Sequence, residues 1–304
     1  MIPFRLSTPL ALGCILLLGG CSKEKLPPVP EKRSETIPCS NMASWGFPQR
    51  VFPAEINAKM RKKNFSSLGF LCRPDRFVLG YDTQLWAPRW VLEKTDKKNL
   101  EGNEATNHRD WRPDPFVPSQ TRVLPEYYSK KYTQDQLRIL QLASSKNVKN
   151  DEIKVSHTYY LSNSLPFVFV NKDPTAWGRL EDSVVKWTKD KSQLLVISGP
   201  LYANGMSLGW AGPMKEKRRS TDPDQRTIAI PTHFYKVIVD EKGKSGIAFI
   251  VPNSTAPAQD LPSMAKTIQY VEGQAGLNLF PEMSAEDRAK ITNQVNARNW
   301  PLVN

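Results

Sequence analysis

The chain has 304 residues, with 42 lysines and arginines against 30 aspartates and glutamates, so its formal net charge is +12. The sequence contains no internal repeat, and its composition shows no boundary that would divide the chain into two folded domains. This excludes a repeat array and favours one α+β domain of roughly 280 mature residues over two smaller ones. A basic chain is suited to polyanions such as nucleic acid, lipid headgroups or other charged polymers, and charge alone does not choose among them.

Residues 1–20 have the features of a lipoprotein signal peptide. Arg5 supplies a positive charge, residues 9–18 are mostly apolar but too few to cross a bilayer as a helix, and a Leu-Gly-Gly-Cys sequence ends at Cys21. Cys21 is therefore predicted to become the acylated N-terminus, with an ordinary signal peptide as the alternative. Ser22 follows in place of an aspartate, which is typical of outer-membrane sorting in a Gram-negative envelope.

Residues 21–38 are charged and proline-rich, with almost nothing apolar to bury. They are predicted to form a flexible tether between the lipid on Cys21 and a folded domain at 39–304. Two cysteines, Cys39 and Cys72, remain in that domain. In an oxidising compartment an even pair predicts a disulfide that ties the N-terminal arm to the core, and two separate buried thiols are the alternative.

Hydrophobic periodicity predicts the elements of the domain. Runs rich in β-branched and aromatic residues predict strands, and apolar residues at spacings of three and four predict helices. In chain order the prediction is strands at 77–81 and 86–94, a long polar loop at 95–126, a helix at 134–145, a strand at 159–161, a helix at 174–190, strands at 194–198, 227–230, 234–239 and 247–251, and helices near 261–275 and 284–297.

Local signals support the ends of two of these helices. Pro174 suits the first turn of the helix at 174–190, whose apolar residues are spaced to form one face. Ser284 is predicted to cap the last helix, with Asp287 three residues later.

The residues alone offer no recognisable catalyst. The chain has three histidines and lacks the His-x-Glu, Cys-x-x-Cys, Gly-x-Ser-x-Gly and phosphate-loop patterns. A basic run between two predicted strands could clamp phosphates without sequence specificity, and a solvated surface loop is the alternative. The cations of that run are Lys215, Lys217, Arg218 and Arg219.

A set of segments in a shared order carries a family resemblance. These are GYDTQLWAPRWVLEK (80–94), HRDWRPDP (108–115), LPEYY (124–128), YLSNSLP (160–166), AWGRLED (176–182), VISGPLY (196–202), IPTHFYKVI (230–238) and VEGQAGLNLFP (271–281). Together they resemble the DNA/RNA non-specific endonucleases. The resemblance implies a ββα-metal fold of the α+β class, with a central, mainly antiparallel sheet flanked by helices. It also implies Mg²⁺-assisted hydrolysis of nucleic-acid phosphodiesters.

The resemblance assigns roles to particular positions. Arg109 takes the position of the phosphate-binding arginine, Asn163 that of an asparagine close to the site, and Glu181 that of a glutamate one helical turn after a tryptophan. A surface ion pair, a turn residue and a solvated carboxylate are the respective alternatives. The metal ligand falls on Asn171 or Asp173, because the spacing of this chain departs from the family pattern.

The general base is the largest departure from the family pattern. Counted without gaps from Tyr128, the family's Asp-Arg-Gly-His motif ends on Leu137, which cannot take a proton. His108, His157 or His233 could act instead. Three hypotheses follow: an envelope lipoprotein with the nuclease fold and impaired hydrolysis that binds nucleic acid or another polyanion; an active Mg²⁺-dependent endonuclease with a displaced base; and a non-catalytic structural or interaction protein of the envelope.

Overall fold

The computed structural model describes residues 39–51, 67–73, 76–83, 85–103, 110–129, 137–168, 175–203, 207–212, 228–254, 260–295 and 297–303. All of them lie within one compact unit, residues 36–304. The strands are β1 (Gln49–Arg50), β2 (Ser67–Arg73), β3 (Phe77–Asp82), β4 (Ala87–Asp96), β5 (Leu137–Gln141), β6 (Ser164–Val168), β7 (Gln193–Leu201), β8 (Gly209–Ala211), β9 (Ile228–Ile230), β10 (His233–Asp240), β11 (Ser245–Pro252), β12 (Ala265–Lys266) and β13 (Leu277–Asn278).

The α-helices are α1 (Lys97–Leu100), α2 (Glu152–His157), α3 (Ala176–Lys191), α4 (Leu261–Met264), α5 (Ile268–Ala275) and α6 (Ala285–Thr292). Short 3-10 helices occupy Cys39–Met42, Ser119–Thr121, Pro125–Tyr128, Ser145–Asn147, Leu161–Asn163 and Ala297–Asn299. None of the helices in the described ranges is long and apolar enough to cross a membrane.

Seven strands form the central sheet in the order β12-β11-β10-β7-β4-β3-β2. Every neighbouring pair in it is antiparallel. The predicted α+β class with a mainly antiparallel sheet is therefore confirmed.

The sheet is covered on both faces, which explains the continuous apolar run in β7. Leu194 and Val196 point into a core shared with α3, whereas Leu195 and Ile197 point into a second core shared with α5. Successive side chains of a strand alternate between faces, so the positions of a strand covered on both sides are mostly apolar.

Helix α3 packs on the first of these cores, as its sequence spacing predicts. Its side chains Trp177, Leu180, Val184 and Trp187 are at most 3% exposed. Each such burial contributes about 1.5–3 kcal/mol. Thr175 caps the helix by accepting a hydrogen bond from the Gly178 N–H, whereas Pro174 lies outside the described residues.

The helix predicted at 134–145 is wrong. Residues 137–141 form β5, which pairs with β6 in register Leu137↔Val168 to Gln141↔Ser164. The apolar residues of this stretch fit a period of two as well as a helical period, and the pairing with β6 selects the strand. The strand predicted at 159–161 is also wrong. Tyr160 makes only an isolated bridge to Arg112, and a 3-10 helix follows it.

The chain ends differ from the prediction in detail. The helix predicted near 261–275 is divided into α4 and α5 by β12, which adds to the sheet beside β11. The last helix begins as predicted, because the Ser284 hydroxyl accepts a hydrogen bond from the Asp287 N–H at 3.1 Å.

The N-terminal arm is tied to the sheet covalently. Cys39 and Cys72 form a disulfide across a separation of 33 residues, with their Cα atoms 6.2 Å apart. Cys72 lies in edge strand β2, so the bond fixes the start of the domain at that edge.

Candidate active site

Three of the predicted site residues lie in or beside the hairpin β5–β6 and helix α3. Asn163, Glu181 and Leu137 lie in this region. The remaining predicted site residues lie outside the described residues and stay predictions. These are Arg109, Asn171, Asp173, Lys215, Lys217, Arg218, Arg219 and the lipid-bearing Cys21.

Glu181 is partly buried on α3, and its carboxylate accepts a hydrogen bond from the Ser144 side chain. Burial raises the pKa of Glu181 above its ordinary value, against the opposing effects of the nearby Lys236 and Lys146 ammonium groups. Glu93 adds a like charge that also raises the pKa. Glu181 therefore joins helix α3 to a largely buried cluster of polar and charged side chains.

Lys236 approaches Glu181 from the middle of the sheet. It is 0% exposed, and its Nζ donates to the Ser198 hydroxyl at 3.0 Å and lies 4.3 Å from the centroid of the Trp177 ring. Burial lowers the pKa of Lys236, and the carboxylates of Glu181 and Glu93 oppose this effect. A buried ammonium group of this kind needs a counter-charge, and these carboxylates supply it.

Glu93 accepts most of the remaining hydrogen bonds of this cluster. This carboxylate is 1% exposed and accepts hydrogen bonds from Arg76 Nη1 at 2.8 Å, Asn147 Nδ2 at 2.9 Å and the Ser144 N–H at 3.4 Å. Arg76 also donates to the Ser144 carbonyl. Ser144 therefore joins Glu93 and Arg76 to Glu181, and two cations and two carboxylates balance each other.

Asn163 is fully buried and fixes the chain that follows β5. Its Oδ1 accepts from the Ala143 N–H at 2.8 Å, while its Nδ2 donates to the carbonyls of Ala143 at 3.0 Å and Thr158 at 2.9 Å. These bonds place the backbone immediately before Ser144. The structure thus brings Asn163 and Glu181 to the same segment, at Ala143 and Ser144 respectively.

Leu137 lies at the other end of β5 from this segment. It packs at the border of an apolar cluster with Tyr127 and Ile230. Gln141, four residues or about 13 Å further along the strand, is the last residue of β5 and adjoins the Ser144 segment. The gapless count that assigns the family base position to Leu137 starts at Tyr128. It crosses residues 130–136, which lie outside the described ranges. Gln141 is therefore the β5 residue that contacts the Ser144 segment, through the Ser145 N–H.

The Gln141 side chain is held in place by local hydrogen bonds. Its Nε2 donates to the Thr158 carbonyl at 3.2 Å and to the Thr158 hydroxyl at 3.0 Å, and its Oε1 accepts from the Ser145 N–H at 3.4 Å. A carboxamide has no basic nitrogen, so Gln141 cannot take a proton from water near neutral pH.

The described histidines are engaged elsewhere. The His157 ring stacks on Tyr160, and burial together with Arg73 and Arg112 lowers its pKa to about 4. His233 begins β10, where its Nδ1 lies 3.1 Å from the neighbouring Thr232 hydroxyl. Burial lowers the pKa of His233 as well. His108 lies outside the described residues.

The donor set for a metal ion is incomplete in the described part of the chain. There, no group of three or more His, Cys, Asp or Glu side chains is placed to hold an ion. Glu181 supplies a carboxylate, but it already accepts from Ser144 and faces two ammonium groups. The described residues alone therefore do not fit a magnesium site. The two ligand positions that the resemblance implies, Asn171 and Asp173, lie outside them.

The sequence prediction missed Gln141 and the charged cluster. Glu93 follows the apolar run WVL in β4, and Lys236 interrupts the apolar run FYKVIV in β10. A lone charge at a position that the period of the strand assigns to the core was the signal for these two residues.

Comparison with known proteins agrees with this architecture. Residues 57–286 match the profile of the DNA/RNA non-specific endonucleases, and the chain belongs to that family. It is 29% identical over 230 residues to the mitochondrial nuclease EXOG of Danio rerio, covering 70% of this chain and 62% of that protein. It is 25% identical over 296 residues to the mitochondrial endonuclease G of Caenorhabditis elegans, covering 91% of this chain and 92% of that one.

A solved structure shares the fold. The EndoG chain of an EndoG/EndoGI complex superposes with a TM-score of 0.58 at 24% identity, covering 81% of this chain and 99% of that one. This chain spans only 62% of the Danio rerio EXOG and 55% of its Mus musculus counterpart. The activities of those whole proteins are therefore not carried over directly.

Proposed function

We propose that the protein is a lipid-anchored protein of the cell envelope that uses the endonuclease fold to bind nucleic acid or another polyanion, with weak or no hydrolysis. The observation that carries the proposal is the end of β5. There Gln141 adjoins the Ser144–Glu181 contact, and its carboxamide cannot serve as a general base.

The anchor part of the proposal is supported by residues 1–38. The apolar segment, the Leu-Gly-Gly-Cys sequence and the charged tether follow one another in the order that a lipoprotein requires. Outer-membrane sorting rests on Ser22. Replacing Cys21 with serine is expected to release the protein from the membrane fraction, and retention of that variant in membranes would refute the anchor.

Polyanion binding is supported by the family and by the charge. The net charge of +12, the basic run at 215–219 and Arg109 provide cations that can displace counterions from phosphates. Binding of this kind weakens steeply as salt is added. An affinity for DNA that does not change with salt would instead favour a structural role in the envelope.

The experiment that tests the claim of weak or no hydrolysis is a cleavage assay. The full chain carrying Cys21→Ser, which keeps it free of lipid, is incubated with plasmid DNA and RNA at several Mg²⁺ concentrations. We expect salt-dependent binding with little cleavage. Robust cleavage that disappears on Glu181→Ala would show instead an active Mg²⁺-dependent nuclease with a displaced base, with the metal held at Asn171 or Asp173.

A further inference from the structure

Phe116 is an exposed aromatic side chain on a tightly held turn. Its side chain is 52% exposed, whereas Asp114 and Val117 are each 1% exposed. The Asp114 carboxylate accepts from the Phe116 N–H at 2.9 Å, and the Asp114 carbonyl accepts from the Val117 N–H at 3.1 Å. Arg122 closes the turn by donating to the carbonyls of Val117 at 2.7 Å and Pro115 at 3.0 Å. The ring is therefore presented to solvent by a rigid backbone.

One face of this ring rests on a buried cation. The Arg73 guanidinium carbon lies 4.4 Å from the centroid of Phe116 and 4.7 Å from that of Tyr160. Arg73 is 2% exposed and is ion-paired with Asp114. The guanidinium fixes the ring and draws electron density from it, so the exposed part of the ring suits an electron-rich π surface.

Cations flank the ring on the same loop. Arg112 keeps 24% of its side chain exposed, donates to the Ser156 hydroxyl at 2.7 Å and stacks 4.2 Å from the Tyr160 centroid. Arg122 holds the turn itself through the Val117 and Pro115 carbonyls. Within residues 110–122, these two arginines stand against one exposed carboxylate, Asp110, which is 77% exposed and 3.6 Å from Arg112. Positive charge therefore prevails around an exposed aromatic face.

The turn is also joined to the candidate active site. Asp114, besides holding Arg73, accepts a hydrogen bond from the Ser162 hydroxyl. Ser162 directly precedes Asn163, whose amide positions the segment that carries Ser144. A ligand on Phe116 would therefore bind to the same structural unit as a phosphodiester at the site.

We propose that Phe116 is a stacking platform for an unpaired base of single-stranded nucleic acid, with Arg112 and Arg122 beside the adjoining phosphates. The proposal rests on the proposed function and specifies its ligand. Aromatic side chains stack on bases of any identity, and they need a base whose face is free. A duplex keeps its bases stacked inside and offers phosphates but no such face.

The test compares variants of one exposed ring. The full chain with Cys21→Ser is titrated in EDTA with a single-stranded oligonucleotide carrying 2-aminopurine, with its duplex, and with inorganic polyphosphate. We expect Phe116→Ala to weaken single-strand binding by about 5- to 150-fold and to relieve the quenching of 2-aminopurine. Phe116→Leu is expected to behave like the alanine variant and Phe116→Trp like the unmodified ring, while binding of duplex and polyphosphate stays within about twofold.

The matched control is Tyr270→Ala. Tyr270 is an aromatic residue on α5 that is 49% exposed, and its removal is expected to leave all three affinities unchanged. Single-strand binding that is unaltered by Phe116→Ala, or reduced by the same factor as polyphosphate binding, would overturn the stacking proposal. A parent chain that binds none of the three ligands would overturn the proposed function itself.

Discussion

Replacing Lys236 with methionine tests the charged cluster beneath the candidate site. The change removes a 0%-exposed ammonium group that lies over the Trp177 ring, while Glu181 and Glu93 remain, and methionine keeps an unbranched apolar side chain in its place. Breaking a buried ion pair by removing one partner costs about 3–5 kcal/mol. Because Lys236 donates to Ser198 and acts on the two carboxylates through charge rather than a direct ion pair, and because Glu181 keeps Lys146 nearby, we expect a loss at the lower end, about 3 kcal/mol.

The assay is thermal and urea unfolding at several pH values. A loss of about 3 kcal/mol lowers the Tm by about 6–12 °C in a domain of this size. The folded pKa of Glu181 is already raised, and removal of Lys236 raises it further. An acid with a raised folded pKa favours the folded state below its unfolded pKa and loses that contribution as pH rises through the folded pKa. The loss of unfolding free energy in Lys236→Met, relative to the parent chain, is therefore expected to grow from acid to neutral pH.

A double-mutant cycle isolates the pair. Adding Glu181→Gln to Lys236→Met is expected to remove the pH dependence and to cost less than the two single changes together, by at least about 1 kcal/mol. Lys186→Met is the matched control, because this exposed lysine of α3 forms a surface ion pair with Asp190 and its replacement is expected to cost under about 0.5 kcal/mol. If Lys236→Met destabilises no more than Lys186→Met, the cluster does not hold Glu181 as described.

Three further predictions concern stability. Asn163→Ala is expected to destabilise the domain by about 3 kcal/mol in urea unfolding, because buried backbone groups lose its amide; a loss below 1 kcal/mol would contradict the positioning role. Cys39→Ser with Cys72→Ser is expected to lower stability by about 3–4 kcal/mol under oxidising conditions only, and an equal difference under reducing conditions would argue against the disulfide. His157 is expected to titrate by NMR near pH 4, so its contribution to stability is complete above pH 6.5 and falls as pH drops toward 4; a midpoint near 6.5 would show that the ring is not buried as found.

The elements predicted correctly are those with an unambiguous local pattern. Strands β7, β10 and β11 are mostly apolar runs rich in β-branched and aromatic residues, and α3 has one apolar face. Strand β5 was not predictable in the same way. Its leucines and isoleucine satisfy two periods, and the partner that decides between them, β6, lies more than twenty residues further along the chain.

The candidate site was predictable only in part. Glu181 follows from the resemblance, since its spacing from Trp177 is one helical turn. The assignment of the family base position to Leu137 rests on an ungapped count, which fixes no register across residues 130–136. A shift of four residues moves that assignment to Gln141, at the other end of β5. The link between Lys236 and Glu93 was not predictable, because it depends on β10 and β4 pairing with the two edges of β7.

The central claim is that the end of β5 lacks a general base. The most direct measurement compares the Mg²⁺-dependent plasmid-nicking rates of the parent chain, Gln141→His and Leu137→His. A positioned base contributes a factor of about a hundred to ten thousand, so Gln141→His is expected to raise the rate at least about tenfold, while Leu137→His leaves it at the parent level. A parent chain that nicks rapidly and gains nothing from Gln141→His would contradict the account.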